Sequence, residues 1–151
     1  MSVLVDTNIL LRSAQPNHPL QGTALEAVPV LRGNGETLSI LPQILYEFWV
    51  ICTRPVTENG LGFPVTQMEQ EIDRLQRMFH LLEETPGVFP EWQKLVIKHQ
   101  VVGKTAHDAH VVAGRTLHSI DRILTFNVQD FKRFPEITAM SPQQILAART
   151  P

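Results

Sequence analysis

The chain has 151 residues, 43% hydrophobic and 19% charged, with glycine and proline spread along its length; this is the make-up of a single compact domain spanning 1–151, and it excludes a disordered, fibrous or disulfide-stapled protein. A formal net charge of −2 argues against a binder that relies on a broadly basic surface. The charge is unevenly divided, however, with five basic against eleven acidic residues in 1–93 and eight against four in 94–151.

Ser2 to Val5 is a short apolar, β-branched run that stops at Asp6, which predicts a buried strand followed at once by a helix start at Asp6-Thr7-Asn8. No basic leader precedes it, so no signal peptide is expected. Pro19 to Leu31 reads as a helix, Thr37 to Leu41 as a second strand, and Pro42 to Thr53 as a helix whose first turn tolerates its proline. A loop from Arg54 to Pro64 leads to a helix from Val65 to about Phe79, with Met68, Ile72, Leu75 and Phe79 at helical spacing, and Phe79 to Leu82 is a candidate short strand. Helices follow over Pro90 to about Val101 and about His107 to Leu117, then strands over Arg122 to Phe126 and Ile137 to Met140, and a short helix from Pro142. Short apolar strands separated by helices predict an α/β protein with a parallel sheet covered on both faces. No run is long enough to span a membrane. The single Cys52 lies among Ile44, Leu45, Phe48, Trp49 and Ile51, as a packed thiol in a reducing compartment would, so a soluble, cytoplasmic protein is expected.

In open parallel sheets ligands gather beyond the carboxyl ends of the strands. Asp6 follows the first strand, and Asn127 follows Ile123 to Phe126 with Asp130 three residues later. Glu47 borders the apolar face of its helix, and Asp108 sits in the first turn of another, beside Ala109, Val112 and Ala113. Each has a bland reading: Asp6 as a helix cap, Asp108 as the acid of a Thr105-x-x-Asp108 capping box, Asn127 and Asp130 as turn formers, Glu47 as the partner of an arginine. Jointly these readings weaken, because all four positions fall at the same end of one sheet. Two carboxylates ~4 Å apart repel by about 4 kcal/mol at an effective dielectric of ~20, so converging acids need shared protons or a divalent cation, and an oxygen-only donor set suits Mg²⁺ or Mn²⁺ rather than zinc. His107 and His110 lack further zinc ligands at a usable spacing and read as surface or capping groups. Neither a phosphate loop nor a serine-hydrolase elbow is present. Ions held by carboxylates can activate water and stabilise a phosphate transition state, which points to phosphodiester hydrolysis.

The segments Val5-Asp6-Thr7-Asn8-Ile9-Leu10, the helical Glu47, Ala106-His107-Asp108-Ala109, and Leu124-Thr125-Phe126-Asn127 with Asp130-Phe131 together resemble the PIN domain, in particular the toxin ribonucleases of bacterial toxin–antitoxin pairs. The resemblance covers nearly the whole chain. It implies a three-layer α/β/α sandwich with a central parallel sheet, a Mg²⁺- or Mn²⁺-dependent endoribonuclease acting on RNA, a small cognate antitoxin as partner, and a homodimer. It also implies a site in which Asp6 and Asp108 bind the better-ordered ion, Glu47 positions or deprotonates water, and Thr7 and Thr125 support them by hydrogen bonding. Many family members carry a fourth acid where this chain has Asn127, with Asp130 as the alternative source of that charge. Two other readings remain: a PIN-like binding or regulatory module with weak or no nuclease activity, and a phosphatase using Asp6 as nucleophile, against which Asn8 stands where such enzymes place a second acid.

Overall fold

The computed structural model describes residues 1–149. Five strands, β1 (Ser2–Val5), β2 (Thr37–Ile40), β3 (His80–Leu81), β4 (Arg122–Leu124) and β5 (Thr138–Met140), alternate with eight helices: α1 (Thr7–Ser13), α2 (Gln21–Gly33), α3 (Pro42–Thr53), α4 (Val65–Met78), α5 (Val88–Lys98), α6 (Thr105–Leu117), α7 (Val128–Phe131) and α8 (Pro142–Ala147). The sheet is wholly parallel in the order β3-β2-β1-β4-β5. Its inner strands are sealed on both faces: Val3, Leu4, Val5, Ile40, Ile123 and Leu124 expose none of their surface, which is why these runs carry no polar alternation.

The chain moves outward from β1 through β2 to β3, then crosses back past β1 to β4 and on to β5. With right-handed crossovers, the first journey puts α1 to α4 on one face and the return puts α5 to α7 on the other. The packing agrees, since α1 meets α2 and α3, α3 meets α4, and α5 meets α6, while α8 folds back onto α2. The three-layer sandwich expected from sequence is therefore present. Direction reverses between β1 and β4, and the crevice of such a sheet opens at the carboxyl ends of those two strands.

Most element boundaries follow the sequence reading, α3 to the residue, with its proline at the first helical turn. The differences are local. The helix expected from Pro90 begins at Val88 and the one expected from His107 begins at Thr105. The strand expected to reach Phe126 ends at Leu124; Asn127 and Asp130, candidate site residues whose bland alternative was a turn, stand at the N-cap position of the short helix α7 and within it. Cys52 is a buried free thiol, its pKa pushed up to about 12 chiefly by burial and further by Glu71. Among the described residues no helix is long and apolar enough to cross a membrane.

Gly114 sets the spacing of α6. A β-carbon there would lie 2.7 Å from a methyl of Leu41, the residue preceding α3. The absence of a side chain thus lets α6 approach the start of α3, and this approach brings the residues around Asp108 to those around Glu47.

Candidate active site

Asp6 ends β1 and extends its pairing, donating its backbone N–H to the carbonyl of Leu124 at 3.0 Å. Its side chain caps α1 by accepting the backbone N–H of Thr7 at 2.8 Å through Oδ1, so the capping role expected of an aspartate here is real. It does not account for the whole carboxylate. Oδ2 accepts the hydroxyl of Thr125 at 2.8 Å and the amide of Asn8 at 3.3 Å. Thr125, fully buried, lies immediately after β4, and its backbone N–H goes to the carbonyl of Met140. Its hydroxyl oxygen also accepts from Asn8 Nδ2 and from the backbone N–H of Asn127, each at 3.0 Å. Asn8 completes the tie through Oδ1, which accepts the N–H of Phe126 at 3.0 Å. The ends of β1 and β4 are thus bound into one polar unit with Asp6 at its centre.

Glu47 is held from two sides. Oε2 accepts the hydroxyl of Thr7 at 2.9 Å and Oε1 accepts Nε2 of Gln43 at 2.7 Å. Gln43, one turn earlier on α3 and itself buried, also donates to the carbonyl of His107 at 3.2 Å and meets the ring Nδ1 of His110 through Oε1. No arginine pairs with Glu47; the partner that a carboxylate in this setting requires is a hydroxyl and an amide.

Asp108 lies in the first turn of α6, yet the capping-box reading fails, because the N-cap position belongs to Lys104 and no side chain caps this helix. Burial raises its pKa to about 7, with the charges of Asp6, Asp130 and Glu47 adding to the effect. For Asp6 burial is again the largest cause, opposed by its hydrogen bonds from Thr125 and Thr7 and reinforced by Glu47 and Asp130, and the pKa rises to about 6. Four acids therefore share one field, and among the described residues none of them takes part in a salt bridge. Asp130 and Asn127 are both exposed, at the start of α7.

The donors are carboxylate, hydroxyl and amide oxygens, and of the acids Asp6 and Asp108 hold protons more tightly than free carboxylates. That chemistry fits a hard divalent cation. As the side chains stand, no three His, Cys, Asp or Glu groups among the described residues are gathered closely enough to hold one ion together.

The sequence reading did not single out Asn8, Gln43 or His110 as parts of the site. Gln43 had a signal, four residues before Glu47 on the same helical face. His110, read as a surface or capping group, is half-buried and bonded to Gln43, and burial lowers its pKa.

No family model and no curated protein matches the chain. Solved structures do. The chain is similar in structure to VapBC2 from Rickettsia felis bound to a DNA fragment from its promoter, at a TM-score of 0.68 and 15% identity, over 93% of this chain and 98% of that one. It is similar to FitAcB from Neisseria gonorrhoeae at a TM-score of 0.65 and 16% identity, over 95% and 99%. It is also similar to Mycobacterium tuberculosis VapC20, described as a sarcin-ricin loop cleaving toxin, at a TM-score of 0.62 and 15% identity, over 85% and 92%. The fold of this chain is therefore the PIN-like α/β/α sandwich found in these toxin–antitoxin proteins.

Proposed function

We propose that this protein is a metal-dependent endoribonuclease and the toxin of a toxin–antitoxin pair, hydrolysing RNA phosphodiester bonds in the cytoplasm. One observation carries the reading: at the crevice end of the sheet burial, reinforced by the charges of Glu47 and Asp130, raises the proton affinity of Asp6 and Asp108, and among the described residues no salt bridge offsets it. The likeness to VapC20, described as a sarcin-ricin loop cleaving toxin, supports a cleaving activity.

Asp6, Glu47 and Asp108 would hold Mg²⁺ or Mn²⁺, which when bound supplies an activated water and stabilises charge on the scissile phosphate. Thr125 and Asn8 fix the carboxylate of Asp6 against β4, so that it faces the crevice in one orientation. Glu47, fixed by Thr7 and Gln43, orients the attacking water and accepts its proton. Asp130, at the start of α7, provides the fourth negative charge in place of Asn127, whose amide offers only a neutral oxygen. Lys104, Lys132 and Arg133, all exposed, are available to phosphates of the flanking nucleotides.

The likeness to VapBC and FitAB assemblies supports a small antitoxin as partner. For a protein partner, the antitoxin or a second copy, the surface we favour is the apolar groove of about 610 Å³ between α3 and α4, lined by Tyr46, Trp49, Val50, Val65 and Ile72. Copurification with the product of the neighbouring gene, weakened by Val50→Asp, is the expected result.

A second reading, a binding or regulatory module with weak or no nuclease activity, has one observation in its favour: the acids stand too far apart to share an ion as they are. RNA cleavage measured with Mg²⁺, with Mn²⁺ and with EDTA separates the two. The nuclease cuts only with metal and loses cleavage in the Asp6→Asn, Asp108→Asn double variant. Cleavage retained in that variant, or absent under every condition in the wild type, rejects the nuclease.

A further inference from the structure

The chain between β3 and α5 and the first turns of α5 form a cleft of about 220 Å³ against α6, lined by Glu84, Thr85, Pro86, Phe89, Trp92 and His110 among others. Phe89 is 63% exposed, an unusual position for a large aromatic ring. Its ring lies 5.8 Å from that of Trp92, inclined at 31°. Trp92 is locked, because its indole N–H donates to the carbonyl of Ala106 at 2.9 Å, in the turn of α6 that carries Asp108. The cleft is thus anchored to the acid site at two points, through Trp92 to α6 and through His110 and Gln43 to Glu47.

The rim also limits what the cleft can read. Gln43 Nε2 is committed to Glu47 and to the carbonyl of His107, so Gln43 Oε1 faces Nδ1 of His110 and steadies that ring at the edge of the cleft. Glu84 brings a carboxylate to the rim, with Thr85 beside it. A carboxylate has two oxygens that accept side by side, so an aromatic slot edged by Glu84 selects a flat ring that carries adjacent N–H donors, as guanine does on its Watson–Crick edge.

We propose that this cleft is a nucleobase subsite that takes one unpaired guanine of the RNA, stacked on Phe89 and read through its N–H groups by Glu84. The ligand class rests on the ribonuclease reading. Unpaired bases are held in this way by aromatic faces with polar groups at their edge. Because His110 and Glu47 share Gln43, a base in the cleft sets where the strand lies relative to the acids.

The test uses the protein in EDTA, where no cleavage interferes. Its two tryptophans give two indole N–H signals in a ¹⁵N-labelled sample, identified with Trp49→Phe. GMP is expected to shift the Trp92 signal saturably and leave Trp49 still, with AMP, CMP and UMP binding more weakly. Phe89→Ala, at an exposed position that the fold does not need, is expected to weaken GMP about tenfold, and Phe89→Trp to restore it. No saturable shift, equal affinity for the four nucleotides, or unchanged affinity in Phe89→Ala overturns the subsite. The two readings fail separately: a protein that cuts RNA without binding GMP loses only the subsite, and one that binds GMP without cutting RNA loses only the nuclease.

Discussion

The two ends of the same sheet treat negative charge in opposite ways. At the amino end, Glu36 precedes β2 and its carboxylate is answered by the Arg122 guanidinium at 2.6 Å, at the start of β4, and by the chain's N-terminal ammonium at 4.0 Å. At the carboxyl end, Asp6 and Glu47 are held by hydroxyl, amide and backbone N–H groups, Asp108 and Asp130 add their charge to the same field, and among the described residues no salt bridge answers any of the four. Glu36 is held by its own protein, as a structural acid should be. Asp6 is held in place by its hydrogen bonds, but it and Asp108 are left without a counter-charge in one field, an arrangement that stores unfavourable energy until protons or a cation arrive. A buried charge without a counter-charge in the chain is a physical signature of a functional site.

The comparison breaks most visibly if an acid is neutralised. Asp6→Asn is expected to lower metal-dependent RNA cleavage about 100-fold or more, since an ion contributes several kcal/mol to the transition state and each ~1.4 kcal/mol is a factor of ten. The same variant should melt higher than the wild type in EDTA at pH 8, because it removes repulsion; a lower melting temperature there would mean that the cap to Thr7 outweighs the field.

The next effect is on the scaffold of the acids. Thr125→Val removes a donor from Asp6 and an acceptor from Asn8 and Asn127 at a fully buried position. Metal affinity measured by titration should fall about 10- to 100-fold, and stability to urea by about 1–3 kcal/mol. Gln43→Ala should act on turnover with a smaller loss of stability, and Gln43→Glu should not rescue it, since a second carboxylate beside Glu47 repels.

At the opposite end, Arg122→Met is the contrasting control. It leaves Glu36 without its main partner and should cost about 1–3 kcal/mol in urea unfolding with the cleavage rate per folded molecule unchanged. A changed rate would undo the separation between the two ends.

The smallest effect is that of pH on the metal-free protein. The folded pKa values of Asp6 and Asp108, about 6 and about 7, lie above the ordinary aspartate value of 3.8. The folded state thus binds protons more tightly than the unfolded one, and the stability these two groups contribute is fully present below about pH 4 and is lost as pH rises through 6 and 7. In EDTA the melting temperature should fall between pH 5 and pH 8 by more in the wild type than in the Asp6→Asn, Asp108→Asn double variant. Equal slopes would remove these two carboxylates from the account.

Strands and long helices were legible in the sequence because burial on two faces leaves unbroken apolar runs and helical amphipathicity leaves a period. Pro42 to Thr53 was read to the residue because proline marks its start. The four residues of α7 are too few for any period, so the helix carrying Asp130 left no trace beside the turn that Asn127 and Asp130 also allow. Asp6, Glu47 and Asp108 stood out as acids at strand ends or on apolar faces. Their supports did not: Asn8 and Thr125 are 117 residues apart, Gln43 and His110 are 67 apart, and a neutral polar side chain gives no sign of such a partner. The capping-box alternative for Asp108 fails on a boundary: the spacing from Thr105 to Asp108 is right, but the helix begins at Thr105 itself.

Calorimetric titration of Mn²⁺ into the metal-free protein at pH 8, beside the Asp6→Asn, Asp108→Asn double variant, tests most directly whether the unanswered acids are a cation site. Saturable heat from at least one ion in the wild type and none in the variant is the predicted result. Heat absent from both, or equal in both, would contradict it.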